Sequence, residues 1–288
     1  MAATLRRLAK CDPQPDELIV VEQSAEVDPQ VKEALKLFGG LGILVRQGRP
    51  NAQVARNEAA RQSRSEILLF LDDDVDPEKN LIGAHLENYR DPSIHAVGGF
   101  YLEPGEIEVD EPRKVVWWRP LTKMERYPAC YRHRVDSPLW PSCNGSIRRK
   151  VFVKLGGLDE NYKYTLLDDT DLAVRMQKAG CRCVHDPKAR LFHRKEPTGG
   201  NRPVNPADQV IASREKWYTW SYFFWMNYGL LGLGEIFLRM RTNVFRKPYL
   251  LKPGLLWIAV GEMILGFWLA AGAICKGRKL ISAREAGG

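Results

Sequence analysis

Residues 66–74 read Glu66-Ile67-Leu68-Leu69-Phe70-Leu71-Asp72-Asp73-Asp74, an apolar run that ends in three carboxylates. The run has strand length and no alternation, which predicts a strand central in a sheet. In open α/β sheets ligands bind outside the carboxyl ends of strands, and the three aspartates fall there. Adjacent carboxylates repel one another unless something positive lies between them, and a hard divalent cation with oxygen ligands meets that need. Along an extended chain Asp72 and Asp74 point the same way. A calcium loop is excluded. Asp72, Asp74 and Asp76 match its first three ligand positions, but Pro77 stands where glycine is required and Gly83 where glutamate is. The plainer alternative is a solvated acidic turn capping the next helix.

Outward from this stretch, short apolar runs alternate with helical patterns. Leu18 to Val21, Ile43 to Val45 and Ile94 to Phe100 read as strands; Val31 to Phe38, Ala52 to Gln62 and Leu81 to Tyr89 read as helices. The alternation predicts an α/β sandwich with a largely parallel sheet. Residues 103–140 are irregular and proline-bearing, the kind of excursion that carries binding loops. A helix over Leu172 to Ala179 stops at Gly180, and Arg182 to Val184 and Arg190 to Phe192 are strand-like. Gly199, Gly200, Pro203 and Pro206 mark a boundary between a catalytic domain, 1–205, and a C-terminal helical region, 206–288.

A second acidic set lies further on: Gly156-Gly157-Leu158-Asp159-Glu160, then Leu167-Asp168-Asp169-Thr170-Asp171-Leu172, Arg175 and Gly180. Pro141-Ser142-Cys143-Asn144-Gly145-Ser146-Ile147-Arg148-Arg149 precedes it, and Asp186 to His193 follows. Together with Ala55-Arg56-Asn57 ahead of the first aspartates, these segments resemble the family 2 glycosyltransferases of GT-A type. Leu158 stands for the family's phenylalanine, Asp168 for its glutamate and Ser142 for a glycine.

The resemblance implies a Rossmann-like mixed sheet flanked by helices and an enzyme that uses Mn2+ or Mg2+. By family position Asp74 is the metal ligand, with Asp72 and His193 beside it, and Asp72 or Asp73 lies near the donor ribose. Arg56, Asn57 and Glu22 belong to the donor site, Glu22 replacing the family's aspartate. Asp169 is the base and Asp168 its tuning neighbour. Asn144 and Asp171 stand on the acceptor side. Each has a structural alternative: an exposed helix face for Arg56 and Asn57, a turn cap for Asn144, helix capping for Asp171, an ordinary structural histidine for His193. Leu5 to Lys10 resembles the family's first helix and Glu17 to Val21 its second strand, so its opening strand has no counterpart. The expectation is either a start upstream of Met1 or a degenerate relative.

The chemistry suits the residues. A hydroxyl attacking an anomeric carbon needs a base, and a carboxylate suits the oxocarbenium-like transition state. The reading is a metal-dependent inverting transferase that moves a sugar from a nucleotide-diphosphate-sugar to a lipid-linked or glycan acceptor. Without the Gln-x-x-Arg-Trp motif of processive relatives, single transfer is favoured. The alternatives are a degenerate membrane scaffold or partner subunit, and a nucleotidyltransferase, which would need a glycine-rich basic loop near its start.

The 288 residues are 44% hydrophobic and 27% charged, an ordinary globular balance. Scattered cysteines without a Cys-x-x-Cys pair indicate a reduced compartment, and Arg6, Arg7 and Lys10 interrupt any early secretory run. The formal charge is +8, and much of the excess lies late: Arg239, Arg241, Arg246, Lys247, Lys252, Lys276, Arg278 and Lys279. Placed beside apolar segments and with no nucleic-acid motif, this charge points to a lipid surface and not to nucleic acid. Trp217 to Tyr228 is dense in aromatics, and Leu255 to Cys275 is apolar apart from Glu262. The second segment can span, re-enter or lie in the plane of a membrane, or be buried in the fold or in a homodimer. The expected place is the cytoplasmic face of a membrane.

Overall fold

The computed structural model describes residues 1–48, 51–111, 129–137, 139–162, 166–196, 213–245 and 252–281. Residues 112–128 and 138 of the irregular excursion, and the boundary expected over 198–206, lie outside those residues.

The chain opens with helix α1 (Ala2–Leu8) and a parallel pair, β1 (Leu18–Glu22) with β2 (Gly42–Arg46). Between them runs α2 (Pro29–Leu35), whose cap Asp28 accepts from Gln30 N at 2.8 Å. The expected helix through Phe38 ends sooner, in a 3-10 turn over Lys36–Leu41 with Gly39 at φ 55°. Only glycine takes that conformation without strain. Helix α3 (Ala52–Gln62) follows, capped by Asn51.

The main sheet holds β3 (Ile67–Leu71), β4 (Val75–Pro77), β5 (Ile94–Leu102), β6 (Val135–Asp136), β7 (Asn144–Arg148) and β8 (Arg182–His193). Its order is β3-β7-β5-β8-β4, with β6 on β8. Strand β7 runs antiparallel to both β3 and β5, so those two point the same way, and β8 is parallel to β5. The carboxyl ends of β3, β5 and β8 therefore open on one side. The two strand-like pieces expected after residue 180 form one strand. It passes Pro187 through an irregularity, where the register jumps from Gly99↔Asp186 to Phe100↔Arg190.

Strand β3 is not central. Among the described residues it pairs only with β7, and β1 only with β2, so the sheet is divided between β1 and β3. Leu69 and Leu71 on β3 pack instead on a cluster formed by Leu5 and Leu8 of α1 with Val20 and Phe38.

Helix α4 is Leu81–Asn88, α5 is Arg149–Lys154 and α6 is Asp168–Lys178. The last begins a turn before Leu172, so Asp168, Asp169 and Asp171 form its first turn. Carboxylates are favourable there against the helix dipole. The main core joins Phe70, Trp140, Ile147, Phe152, Leu172 and Met176, each worth about 1.5–3 kcal/mol on burial.

Helices α7 (Arg214–Tyr228), α8 (Leu233–Asn243) and α9 (Pro253–Lys276) complete the chain. Tyr222, Phe223 and Phe224 of α7 are buried against Tyr162, Leu167 and Val174 of the catalytic body. Helix α9 has 24 residues, and an 18-residue stretch of it has a mean hydropathy of 1.9, enough by length and composition to cross a membrane. Past α9 the chain turns back, and Ile281 enters the main core. This return explains the glycine pair. Gly156 and Gly157 hold φ 80° and 66°, and a Cβ on Gly157 would lie 2.5 Å from Ile281 Cδ1.

Candidate active site

The carboxyl end of β3 delivers Asp72, Asp73 and Asp74, and β4 begins at once. The β4–β8 register sets Val75 opposite His193, which brings the end of β8 to the aspartates. His193 Nε2 is 3.0 Å from Asp74 Oδ1 and 3.7 Å from Asp72 Oδ2. Each of the three offers one ligand atom, all within 4.8 Å of one another. Asp74 and His193 are buried, and Asp72 is half-buried. His193 Nδ1 has no hydrogen-bond partner and lies 3.6 Å from Glu103 Oε1. Two carboxylates and an imidazole backed by a further carboxylate form a donor set that fits a divalent cation. Asp73 is exposed; its carbonyl accepts from Thr4 Oγ1 at 2.7 Å.

Arg56 on α3 joins this set to the second one. One guanidinium nitrogen is 2.6 Å from Asp72 Oδ1, and the other is 3.7 Å from Asp168 Oδ2. Asp168 is buried, and its Oδ2 has no hydrogen-bond partner. Burial and the adjacent Asp169 push its carboxyl up to about 6, against the opposing Arg56. Asp169, the next residue, is half-buried and accepts from Thr170 N at 2.6 Å. Leu167 before the pair sits at φ 65°, a left-handed conformation that a leucine holds only under constraint. The Cys143 thiol is pushed well up by burial, and the carboxylates of Asp72, Asp169 and Glu103 add to the shift. Arg56 is thus the side chain that stands between the two acidic sets.

The remaining sequence candidates are engaged in hydrogen bonds and ion pairs within the fold. Asn57 is fully buried; it donates to Leu158 O at 2.8 Å and accepts from Leu158 N at 2.9 Å. Asn144 donates to Phe100 O and Ala189 O, both at 2.9 Å, and its Oδ1 is 3.0 Å from His85 Nε2. Asp171 is fully buried between Arg175 at 2.8 Å and Arg278 at 2.6 Å. Glu22 ends β1, buried, and accepts from Ser24 N and Oγ.

Other side chains at the site drew no notice in the sequence. Tyr101 lies in β5 one residue before its carboxyl end and Glu103 directly after it, and the Tyr101 ring centre is 6.1 Å from that of His193. Gln53, buried one turn before Arg56, faces Asp168. The rule that ligands gather at strand ends would have found Tyr101 and Glu103, since β5 itself was legible. Nothing local marks Cys143 or Gln53.

With this geometry in place, comparison with known proteins settles the family. A model described as "Glycosyl transferase family 2" matches residues 1–156, more than half of the chain. The chain belongs to glycosyl transferase family 2. It is 29% identical over 175 residues to the O-antigen biosynthesis protein RfbC of Myxococcus xanthus, covering 56% of this chain and 13% of RfbC. It is 35% identical over 72 residues to the N-acetylglucosaminyl-diphospho-decaprenol L-rhamnosyltransferase of Mycobacterium tuberculosis, covering 25% of this chain and 22% of that enzyme. The chain thus spans less than a quarter of the length of either relative. Among solved structures, S. aureus TarS 1–349 in complex with UDP-GlcNAc is similar at a TM-score of 0.56 and 15% identity, over 92% of this chain and 77% of that one. At that identity the likeness shows the fold, which is of GT-A type.

Proposed function

We propose that the protein is a metal-dependent inverting glycosyltransferase acting at a membrane surface. It takes a sugar from a nucleotide-diphosphate-sugar to a hydroxyl of a lipid-linked or glycan acceptor. The observation that carries this reading is Arg56, which touches Asp72 of the cation-type cluster and approaches Asp168 of the second acidic pair. Family membership and relatives named for O-antigen biosynthesis and for transfer to a decaprenol-linked sugar support it.

In this reading Asp74, Asp72 and His193 hold Mn2+ or Mg2+. Bound there, the cation supplies positive charge to the diphosphate leaving group. Arg56, Asp72 and Asp73 line the donor side, with Glu22 at the end of β1. Asp169 faces the acceptor hydroxyl. The acceptor oxygen bonds to the anomeric carbon as the bond from that carbon to the diphosphate breaks. Asp169 takes the hydroxyl proton, and the electron pair departs with the nucleoside diphosphate. Asp168 keeps a negative charge beside Asp169 and so raises its basicity. Asn57, Asn144 and Asp171 support these groups from behind.

A panel of nucleotide-sugars tested for thermal stabilisation with Mn2+ checks the reading. One donor should stabilise the protein only when metal is present and should then be hydrolysed or transferred. Stabilisation by none of the panel would overturn it. The divided sheet favours a second reading, a catalytically degenerate relative. That reading predicts donor binding with no metal-dependent hydrolysis.

A further inference from the structure

We propose that α9 does not cross the membrane but lies flat in the interface of one leaflet, on the same side as the active site. This rests on the membrane attachment proposed above and gives it a geometry.

Helices α7 and α9 run parallel in contact. Near the α7 start, Arg214 pairs with Glu262 at 2.9 Å. Further along, a Cβ on Gly266 would lie 2.4 Å from Trp217 Cβ. At the far end Asn161 donates to both Tyr222 Oη and Gly277 O at 2.8 Å. The middle of α9 is therefore level with the beginning of α7. Glu262 is the tenth residue of α9, about 14 Å from its start at 1.5 Å per residue. That is close to the midplane of a hydrocarbon layer about 30 Å thick.

A spanning α9 would carry Glu262, Arg214, Glu215 and Lys216 to that midplane. Arg214 is half exposed there. Charged side chains at bilayer depth cost several kcal/mol each. Both ends of α9 are also tied to one body. In its first half Leu256 and Ala259 pack with Trp217 and with Val244, just beyond α8. Beyond its end, Arg278 binds Asp159 and Asp171, and Ile281 N donates to Gly156 O at 2.8 Å.

The opposite face has the character of a monolayer anchor. Trp257, Ile258, Ile264, Leu265, Trp268 and Leu269 are exposed at helical spacing. Trp257 and Trp268 are 75% and 79% exposed, and no charge interrupts the stripe between them. Exposed Lys252 and Lys276 sit at the two ends, placed to meet lipid phosphates. An apolar stripe with tryptophans and basic ends matches an in-plane helix bound to an anionic leaflet. Since the return after α9 grips Asp171 on α6, docking α9 fixes the tilt of the cleft over the lipid.

The test uses the full chain with Cys275→Ser and either Trp257→Cys or Trp268→Cys, spin-labelled and bound to vesicles of phosphatidylglycerol and phosphatidylethanolamine. Label depth is read from collisions with oxygen and with a water-soluble nickel chelate. A flat helix puts both labels at one shallow depth, about 5–10 Å below the headgroups. A spanning helix separates them by about 16 Å along the normal, which would overturn the proposal. Labels that broaden each other between copies and contact no lipid would also overturn it, in favour of a dimer face. As a second check, Trp257→Ser with Trp268→Ser should lower vesicle co-sedimentation at least tenfold, and unchanged binding contradicts the surface. Depth is read without turnover, so an inactive protein leaves this proposal standing. An active protein that ignores vesicles sinks it alone.

Discussion

Asp168 and Asp171 sit one turn apart on α6, both buried, and have opposite surroundings. Asp171 has Arg175, Arg278 and Asn227 within 2.8 Å. Burial pushes its carboxyl up, but Arg175 and Arg278 outweigh burial and hold it below the ordinary value. Asp168 has Arg56 at 3.7 Å and an oxygen without a hydrogen bond, and it titrates at about 6. Burial alone therefore does not mark a working carboxylate; what matters is whether the fold has already paired it. A paired one braces the structure, and an under-paired one is poised for chemistry.

The comparison can be broken at several points. The largest effect belongs to Asp169, the half-buried neighbour of Asp168. Asp169→Asn should keep donor affinity and lose transfer by about 10²–10⁴-fold. Single-turnover assays check this, and retained turnover removes the base assignment.

Asp171→Ala should cost about 3–5 kcal/mol of stability, because it removes the buried carboxylate that Arg175 and Arg278 share. Chemical denaturation measures it, and activity should fall only with the folded fraction. Asn57→Ala comes next, at about 1–3 kcal/mol for the unmet Leu158 backbone groups. Its donor affinity should stay unchanged, and a large loss of affinity would return Asn57 to the donor pocket.

The smallest effect sharpens the contrast through pH. Asp171 is depressed in the fold, so its stabilisation is present above the ordinary 3.8 and is lost as pH falls through its lowered value. Asp168 is raised, so its ionisation costs stability, absent below 3.8 and complete above about 6. Asp168→Asn should therefore raise the melting temperature at pH 7.5 and leave it nearly unchanged at pH 3.5. It should also move the acid limb of the rate profile to lower pH. A melting temperature that falls at pH 7.5 contradicts the unpaired reading.

Much of the fold was legible because its signals are local. The Ile67–Leu71 strand and the aspartates after it declare themselves within a few residues. What escaped depends on distant partners. Asn57 serves Leu158, which is 101 residues away, and Arg278 reaches 107 residues back to Asp171. Glu262 looked costly in an apolar helix because its partner Arg214 lies 48 residues earlier. The edge position of β3 was missed for a related reason. Leu69 and Leu71 are apolar on account of α1, which a strand pattern does not reveal. The early start of α6 was hidden because its first turn is acidic, and the apolar period begins only at Leu172.

The central claim is that the end of β3 and the end of β8 together grip a metal-bound nucleotide. Calorimetric titration of UDP, GDP and dTDP into native and Asp74→Ala protein, with Mn2+ and then with EDTA, addresses it most directly. The account predicts that one nucleotide binds the native protein only with Mn2+ and that Asp74→Ala abolishes this binding. Equal affinity of the two proteins in Mn2+, or native binding that is indifferent to EDTA, would contradict it.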